Sequence, residues 1–321
     1  MYKITDIPGI RIGHADNQLA ATGCTVILCP EGATAGVDVR GGAPGTRETD
    51  LLNPVNYVDK VHGIMLAGGS AFGLDAAAGV MQYLEEQGHG FDVGVTKVPI
   101  VAGAVLFDLT CGDYRIRPDK AMGYAACQAA GSEPLAEGSV GAGTGATVGK
   151  IFGAEHAMKG GIGTVCLGVG NLLVGAIIAV NCLGDVVNPT NGSIEAGAYQ
   201  EEPFAFLNCE AGLLAQHDKQ TNRFAGNTTI GAVITNAVMT KGQAAKVASM
   251  AHNGYARTIR PAHTLFDGDT IFTVATGQII ADINVVGVLA AQAVEQAVLR
   301  AVTQAKSLVG VKCCRDVVRH K

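Results

Sequence analysis

The sequence predicts a layered α/β fold whose sheets are mixed or antiparallel rather than parallel and doubly wound. Three observations carry that expectation. Short apolar, β-branched runs recur between glycine-rich turns. Helical stretches lie among them, yet strands and helices do not alternate in a strict βαβ order. Finally, 48% of the 321 residues are hydrophobic and 16% charged, which supplies a large core and rules out a disordered chain.

The first strands are read at residues 24–28 and 63–67, both dense in Val, Ile and Leu. A helix over 72–86 follows, with Leu74, Ala77, Ala78, Met81 and Leu84 on one face. Gly73 interrupts its first turn and Gly88 stops it. Further strands are expected at 164–167, 176–180, 229–234 and 270–275. The longest helix spans about 285–308 and is Ala- and Val-rich on nearly all sides, which predicts a sandwiched position. Residues 210–226 are polar, and 216–223 read as an exposed loop leading into the strand that opens at Thr228 or Thr229.

Charge and cysteine usage narrow the function classes. A net charge of −5 lacks the basic balance of a nucleic-acid binder. No run approaches ~18 uninterrupted apolar residues, so no membrane partner is expected. The first residues show no basic stretch followed by an apolar one, so no signal peptide is read there. Nine cysteines without a C-x-x-C pair suit a reducing cytoplasm and buried thiols, and they call for neither a metal nor a cofactor. Sparse surface charge predicts a homo-oligomer.

Single motifs taken alone favour plain structural roles. The segment Gly141-Ala142-Gly143-Thr144-Gly145-Ala146-Thr147-Val148-Gly149-Lys150 fails the phosphate-loop pattern, because Thr144 stands at the first glycine and Ile151 follows the lysine. Gly68-Gly69-Ser70-Ala71-Phe72-Gly73 joins a strand to a helix, where Ser70 reads as an N-cap and the turn amides as a seat for a carbonyl or carboxylate oxygen. The eight histidines are dispersed, and none is nominated for catalysis. Asp267-Gly268-Asp269 reads as a turn and Asn181 as a strand end.

Several blocks in one order add what spacing does not. They are residues 38–50 (Asp38-Val39-Arg40-Gly41-Gly42-Ala43-Pro44-Gly45 onward), 66–74 around Gly68-Gly69-Ser70, 98–109, 159–164 and Asn227-Thr228-Thr229. With these the chain resembles the self-processing aminopeptidase/D-esterase family, which includes β-peptidyl aminopeptidases and nylon-oligomer hydrolase. The resemblance implies an N-terminal-nucleophile-hydrolase-like αββα sandwich, with two β-sheets between helical layers. It implies one domain over 1–321 that cuts itself at Asn227–Thr228, into fragments 1–227 and 228–321, and assembles as a homotetramer of processed units.

In site pattern the chain is similar to the nylon-oligomer (6-aminohexanoate-oligomer) hydrolase branch, with Thr228 as nucleophile and Asp267 and Asp269 as its carboxylates. The same likeness implies Asn181 as oxyanion donor and Lys150 as a positive charge beside the nucleophile. It implies substrate contacts from Gly69, Ser70 and Phe107, where that branch carries a Tyr in the segment around Phe107. The expected activity is hydrolysis of a small oligoamide, or removal of N-terminal residues from short α- or β-peptides, through an acyl-enzyme. The enzyme rival is an acyltransferase of the ornithine acetyltransferase type, on a similar fold.

Overall fold

The computed structural model describes residues 2–131, 135–217 and 226–318. Among them nine strands form one hydrogen-bonded sheet, eight along one path and one beside it. They are β1 (Arg11–Asn17), β2 (Thr22–Val39), β3 (Thr46–Arg47), β4 (Lys60–Ala67) and β5 (Val101–Val105), then β6 (Gly161–Val169), β7 (Leu172–Asn181), β8 (Thr228–Ala237) and β9 (Thr270–Ile279). Their order is β6-β7-β8-β9-β2-β4-β5-β3, with β1 paired to β2. The pairs β8/β9 and β4/β5 are parallel and the others antiparallel, so of the two expected arrangements, mixed or antiparallel, the sheet is mixed.

One long strand makes two sheets out of this path. Residues 34–39 of β2 pair with β9, whereas residues 24–28 pair with β4, and the register slips between Leu28 and Ala33. Side chains alternate across each half-sheet and sort into three cores. Ile230, Ala232, Ile234 and Phe272 meet Ile64 and Leu66 between the halves. On the far side of one half, Val180, Val233 and Ile271 pack on α4 (Lys241–Thr258) and α5 (Ile283–Thr303). On the far side of the other, Val26, Met65 and Ala67 pack on α1 (Ala76–Glu86) and α2 (Lys120–Gln128). Helix, sheet, sheet, helix is the resulting layer order. This is the αββα expectation, with its two sheets joined through β2.

The helices differ from their sequence readings in instructive ways. The stretch from Ser70 to Asp75 is a 3₁₀ turn, and the α-helix starts only at Ala76. Its buried residues are Ala76, Ala77, Gly79, Val80 and Leu84, while Leu74, Ala78 and Met81 are half-buried. Gly73 explains the tight start, because a Cβ there would come 1.9 Å from the Gly68 carbonyl oxygen.

Helix α5 is an outer layer, not a sandwiched one. Val285 and Val288 are exposed, and the opposite face presses on β6 so closely that a Cβ at Gly163 would lie 2.1 Å from the Ala297 carbonyl. By length and composition α5 could cross a membrane, yet its inner face forms part of the core. It stops at Thr303 rather than near 308, because the Ser139 hydroxyl both donates to the carbonyl and accepts the amide of Lys306.

Within 210–226, residues up to Ala215 are helical: α3 (Cys209–Ala215) is capped by the Asn208 side chain on the Ala211 amide. Residues 218–225 of that predicted loop lie outside the described residues. All nine cysteines are buried and unpaired, matching the reading of thiols as small hydrophobes.

Candidate active site

Thr228 is the first residue of β8 and is almost completely buried. The chain reaches it through Gly226, whose φ of +55° is a left-handed conformation. A Cβ at Gly226 would also come 2.0 Å from the Phe107 ring, so only glycine fits beneath that ring. The Thr228 hydroxyl donates to the carbonyl oxygen of Asn227. The Gly268 amide donates to the same oxygen at 3.2 Å. Asn227 forms a parallel bridge with Asp267, extending the β8/β9 pairing by one step and bringing Asp267-Gly268-Asp269 alongside Thr228.

Asn181 of the neighbouring strand and Lys150, from outside the strands, supply the opposite side. Asn181 is the last residue of β7 and pairs directly with Thr228. Its amide nitrogen donates to the Phe107 carbonyl at 2.9 Å and to the Gly226 carbonyl at 3.4 Å. Its side-chain oxygen accepts from the Thr147 amide and from Lys150 Nζ. Lys150 Nζ also reaches the Asn181 carbonyl at 3.0 Å and the Gly226 carbonyl at 3.2 Å. Burial pushes Lys150 down to about 8, so it keeps most of its charge at neutral pH. Asn181 therefore serves the carbonyl one residue before the Asn227–Thr228 peptide, and Gly268 serves the carbonyl of that peptide itself.

The two carboxylates are buried and held differently. Asp267 Oδ2 accepts from the amide and hydroxyl of Thr264, at 2.9 and 2.6 Å, and its Oδ1 has no protein partner. Burial, and secondly the nearby Asp269 charge, push Asp267 up to about 6. Asp269 Oδ1 accepts the Thr229 amide at 2.7 Å, and its Oδ2 accepts from His263. Asp269 thus holds the backbone amide next to Thr228, whereas Asp267 is held by Thr264.

A cavity of about 110 Å³ opens on Thr228, lined by Ala43, Pro44, Ser70, Phe107 and Phe266 among others. No described lining residue carries a charge. Ser70 and Phe107 line this cavity together with Thr228. Gly69 stands behind them: its amide is spent on Asp108 at 2.6 Å and is not turned toward the cavity. Ser70 is not the helix cap either; Gly69 holds that position, and Ser70 opens the 3₁₀ turn with φ +54°.

In the Gly141–Lys150 segment, Lys150 is engaged at the site as above and Gly149 is forced by close approach to Ala198. Sequence reasoning missed Gly226, Gly268 and His263. The last stands only four residues before Asp267, a signal too short to separate from a turn. Among the described residues, no group of His, Cys, Asp or Glu side chains is arranged to hold a metal.

A buried threonine at a strand start, facing a carbonyl and backed by lysine, asparagine and paired carboxylates between two sheets, defines an amide-bond hydrolase of N-terminal-nucleophile-like architecture. Comparison with known proteins gives the family. The profile of peptidase family S58 matches residues 2–315, and the chain belongs to that family of peptide- and amide-bond hydrolases. An uncharacterized aminopeptidase of Mycobacterium tuberculosis is 41% identical, over 99% of this chain and 98% of that protein. A 6-aminohexanoate-oligomer endohydrolase of Paenarthrobacter ureafaciens is 34% identical, over 85% and 75% respectively. The structure of an L-aminopeptidase D-Ala-esterase/amidase from Ochrobactrum anthropi, described as a variant of the Ntn hydrolase fold, matches with a TM-score of 0.72. That match covers 99% of this chain and 93% of that one, at 19% identity. The acyltransferase alternative gains no support from these relatives.

Proposed function

We propose that this chain cuts its own Asn227–Thr228 bond and then hydrolyses short oligoamides with Thr228 as an N-terminal nucleophile. The observation that carries the reading is the Thr228 hydroxyl set against the Asn227 carbonyl, with the Gly268 amide on the same oxygen. Attack by Thr228 Oγ1 on that carbonyl carbon gives a tetrahedral intermediate whose oxyanion the Gly268 N–H stabilises. Collapse breaks the C–N bond, leaves an ester on Oγ1 and frees the Thr228 amine; water then releases fragment 1–227. The fragments stay together, because β8 is hydrogen-bonded between β7 of one fragment and β9 of its own, and β9 in turn to β2.

Once free, the Thr228 α-amine has a typical pKa of ~7.7–8.0 and takes the proton of its own hydroxyl at neutral pH. The hydroxyl attacks a substrate amide and forms an acyl-enzyme, with Asn181 released from Gly226 to donate to the oxyanion. Lys150 supplies positive charge beside it. Asp269, and Asp267 through its unpartnered Oδ1, orient the amine or hydroxyl of Thr228. The small uncharged cavity supports an unbranched aliphatic acyl group, as in 6-aminohexanoate oligomers, ahead of N-terminal residues of short α- or β-peptides. The working unit in this reading is a homotetramer of processed units in a reducing cytoplasm.

Denaturing mass spectrometry tests the first step: fragments 1–227 and 228–321 appear without added protease, and Thr228→Ala stays whole. Cleavage of Thr228→Ala at the same bond would end the assignment. The second step is tested on processed enzyme with 6-aminohexanoate oligomers and with p-nitroanilides of α- and β-amino acids; cleavage of none of them refutes the substrate reading. Adding an amine acceptor shows whether water or the amine takes the acyl group.

A further inference from the structure

We propose that His263 is a positioning residue of the hydrolytic site: it grips one oxygen of Asp269, so that the other stays aimed at the amide beside the nucleophile. The inference rests on the Thr228 reading above. His263 Nδ1 lies 2.9 Å from Asp269 Oδ2, and the backbone amide of His263 donates to the same oxygen at 3.1 Å. Two donors on one oxygen fix the carboxylate plane and leave Oδ1 on the Thr229 amide at 2.7 Å. Thr229 follows Thr228 directly, so a rotated Asp269 would loosen the first step of β8.

The surroundings hold the imidazole in place. His252 and Tyr255, both on α4 and fully buried, pack on its ring at centroid distances of 4.9 and 6.1 Å. His252 is itself anchored through Nε2 to the Asp38 carbonyl at 3.0 Å, and burial pushes it down to about 4, so it stays neutral. The His263 Nε2 atom is buried without a protein partner, which leaves Asp269 as the group its ring serves. His263 also holds φ +58°, a left-handed backbone that Asn, Asp and Gly tolerate better than other residues.

That backbone selects the test. His263→Gly keeps the conformation and the backbone donor and deletes the ring; His263→Asn keeps a side-chain donor near the Nδ1 position; His263→Asp is isosteric with Asn but repels Asp269. Each variant is first shown by mass spectrometry to be cut at Asn227–Thr228, then assayed for kcat and KM on 6-aminohexanoate oligomers or a p-nitroanilide. The expected result is a kcat reduced ~10- to 100-fold in the Gly and Asp variants, the size of one lost charge-assisted hydrogen bond, with KM little changed and the Asn variant near wild type. Equal kcat for Gly, Asn and Asp variants, or wild-type kcat in the Gly variant, overturns the inference alone. Should the Gly variant not fold, the Asn and Asp pair carries the same contrast. An active wild type that is never cut overturns this inference together with the Thr228 reading.

Discussion

The hydroxyl of Thr228 and the amide of Gly268 converge on one atom, the carbonyl oxygen of Asn227. Two donors on a carbonyl draw electron density from its carbon and favour attack there. Gly268 is also the only residue type that fits. A Cβ at 268 would lie 2.8 Å from Thr228 Oγ1 and 2.8 Å from the Ala43 carbonyl oxygen.

Gly268→Ala is therefore expected to slow self-cleavage by ~100-fold or more, through a displaced nucleophile and a misplaced oxyanion donor. A time course of intact mass after synthesis measures it. Cleavage as fast as wild type would remove Gly268 from the maturation step.

Asn181→Ala, examined in enzyme that has already been processed, should lower kcat by ~10²–10³ with a smaller change in KM. The same substitution takes partners from Lys150 Nζ and the Thr147 amide, so a fall in melting temperature is expected beside it. An equal loss of kcat after mild heating of wild type to the same folded fraction would assign the effect to stability alone.

Asp267 gives a pH signature in stability. Its carboxyl ordinarily titrates at 3.8 and is pushed up to about 6 in the fold, so the folded chain binds that proton more tightly than the unfolded one. The contribution favours folding below about pH 4 and disappears as pH rises through about 6. Asp267→Asn removes the titration. Compared in a Thr228→Ala background, the wild-type carboxyl should lose roughly 2 kcal/mol of stability relative to Asn between pH 4 and 7, at ~1.4 kcal/mol per pKa unit. Urea denaturation at several pH values reads this directly, and parallel curves for the two chains would count against it.

Solution scattering at micromolar concentration is expected to report a homotetramer of processed units. Leu265 and Ile280 are exposed at 80% and 93%, large apolar side chains for a free surface in so weakly charged a chain. A monodisperse single unit would contradict that expectation.

Six of the nine strands were legible because each carries an apolar, β-branched run long enough to define itself, as residues 229–234 and 270–275 do inside β8 and β9, whereas β1, β3 and β5 carry no such run and were missed. Helix ends were less so. Local pattern shows neither that Gly73 must slip under the Gly68 carbonyl nor that Ser139, from a distant segment, closes the chain after α5. In the site, Thr228, Asn181, Lys150, Asp267 and Asp269 were chosen through ordered blocks of resemblance, and the fold gathers them at the ends of β7 and β8. Their partners were out of reach, since 31 residues separate Lys150 from Asn181 and 40 separate Thr229 from Asp269.

By itself the sequence determined a layered α/β class with mixed or antiparallel sheets and the residue types of the chemistry, because side-chain period and composition are local properties. Only the tertiary structure decided which acceptor each donor serves: Gly268 the Asn227 carbonyl, Asn181 and Lys150 the Gly226 carbonyl, His263 the Asp269 carboxylate. Hydrogen bonds depend on tenths of an ångström between strands remote in sequence. Those distances are set by the register of β7 on β8 and of β8 on β9, which the packing of two half-sheets through β2 fixes.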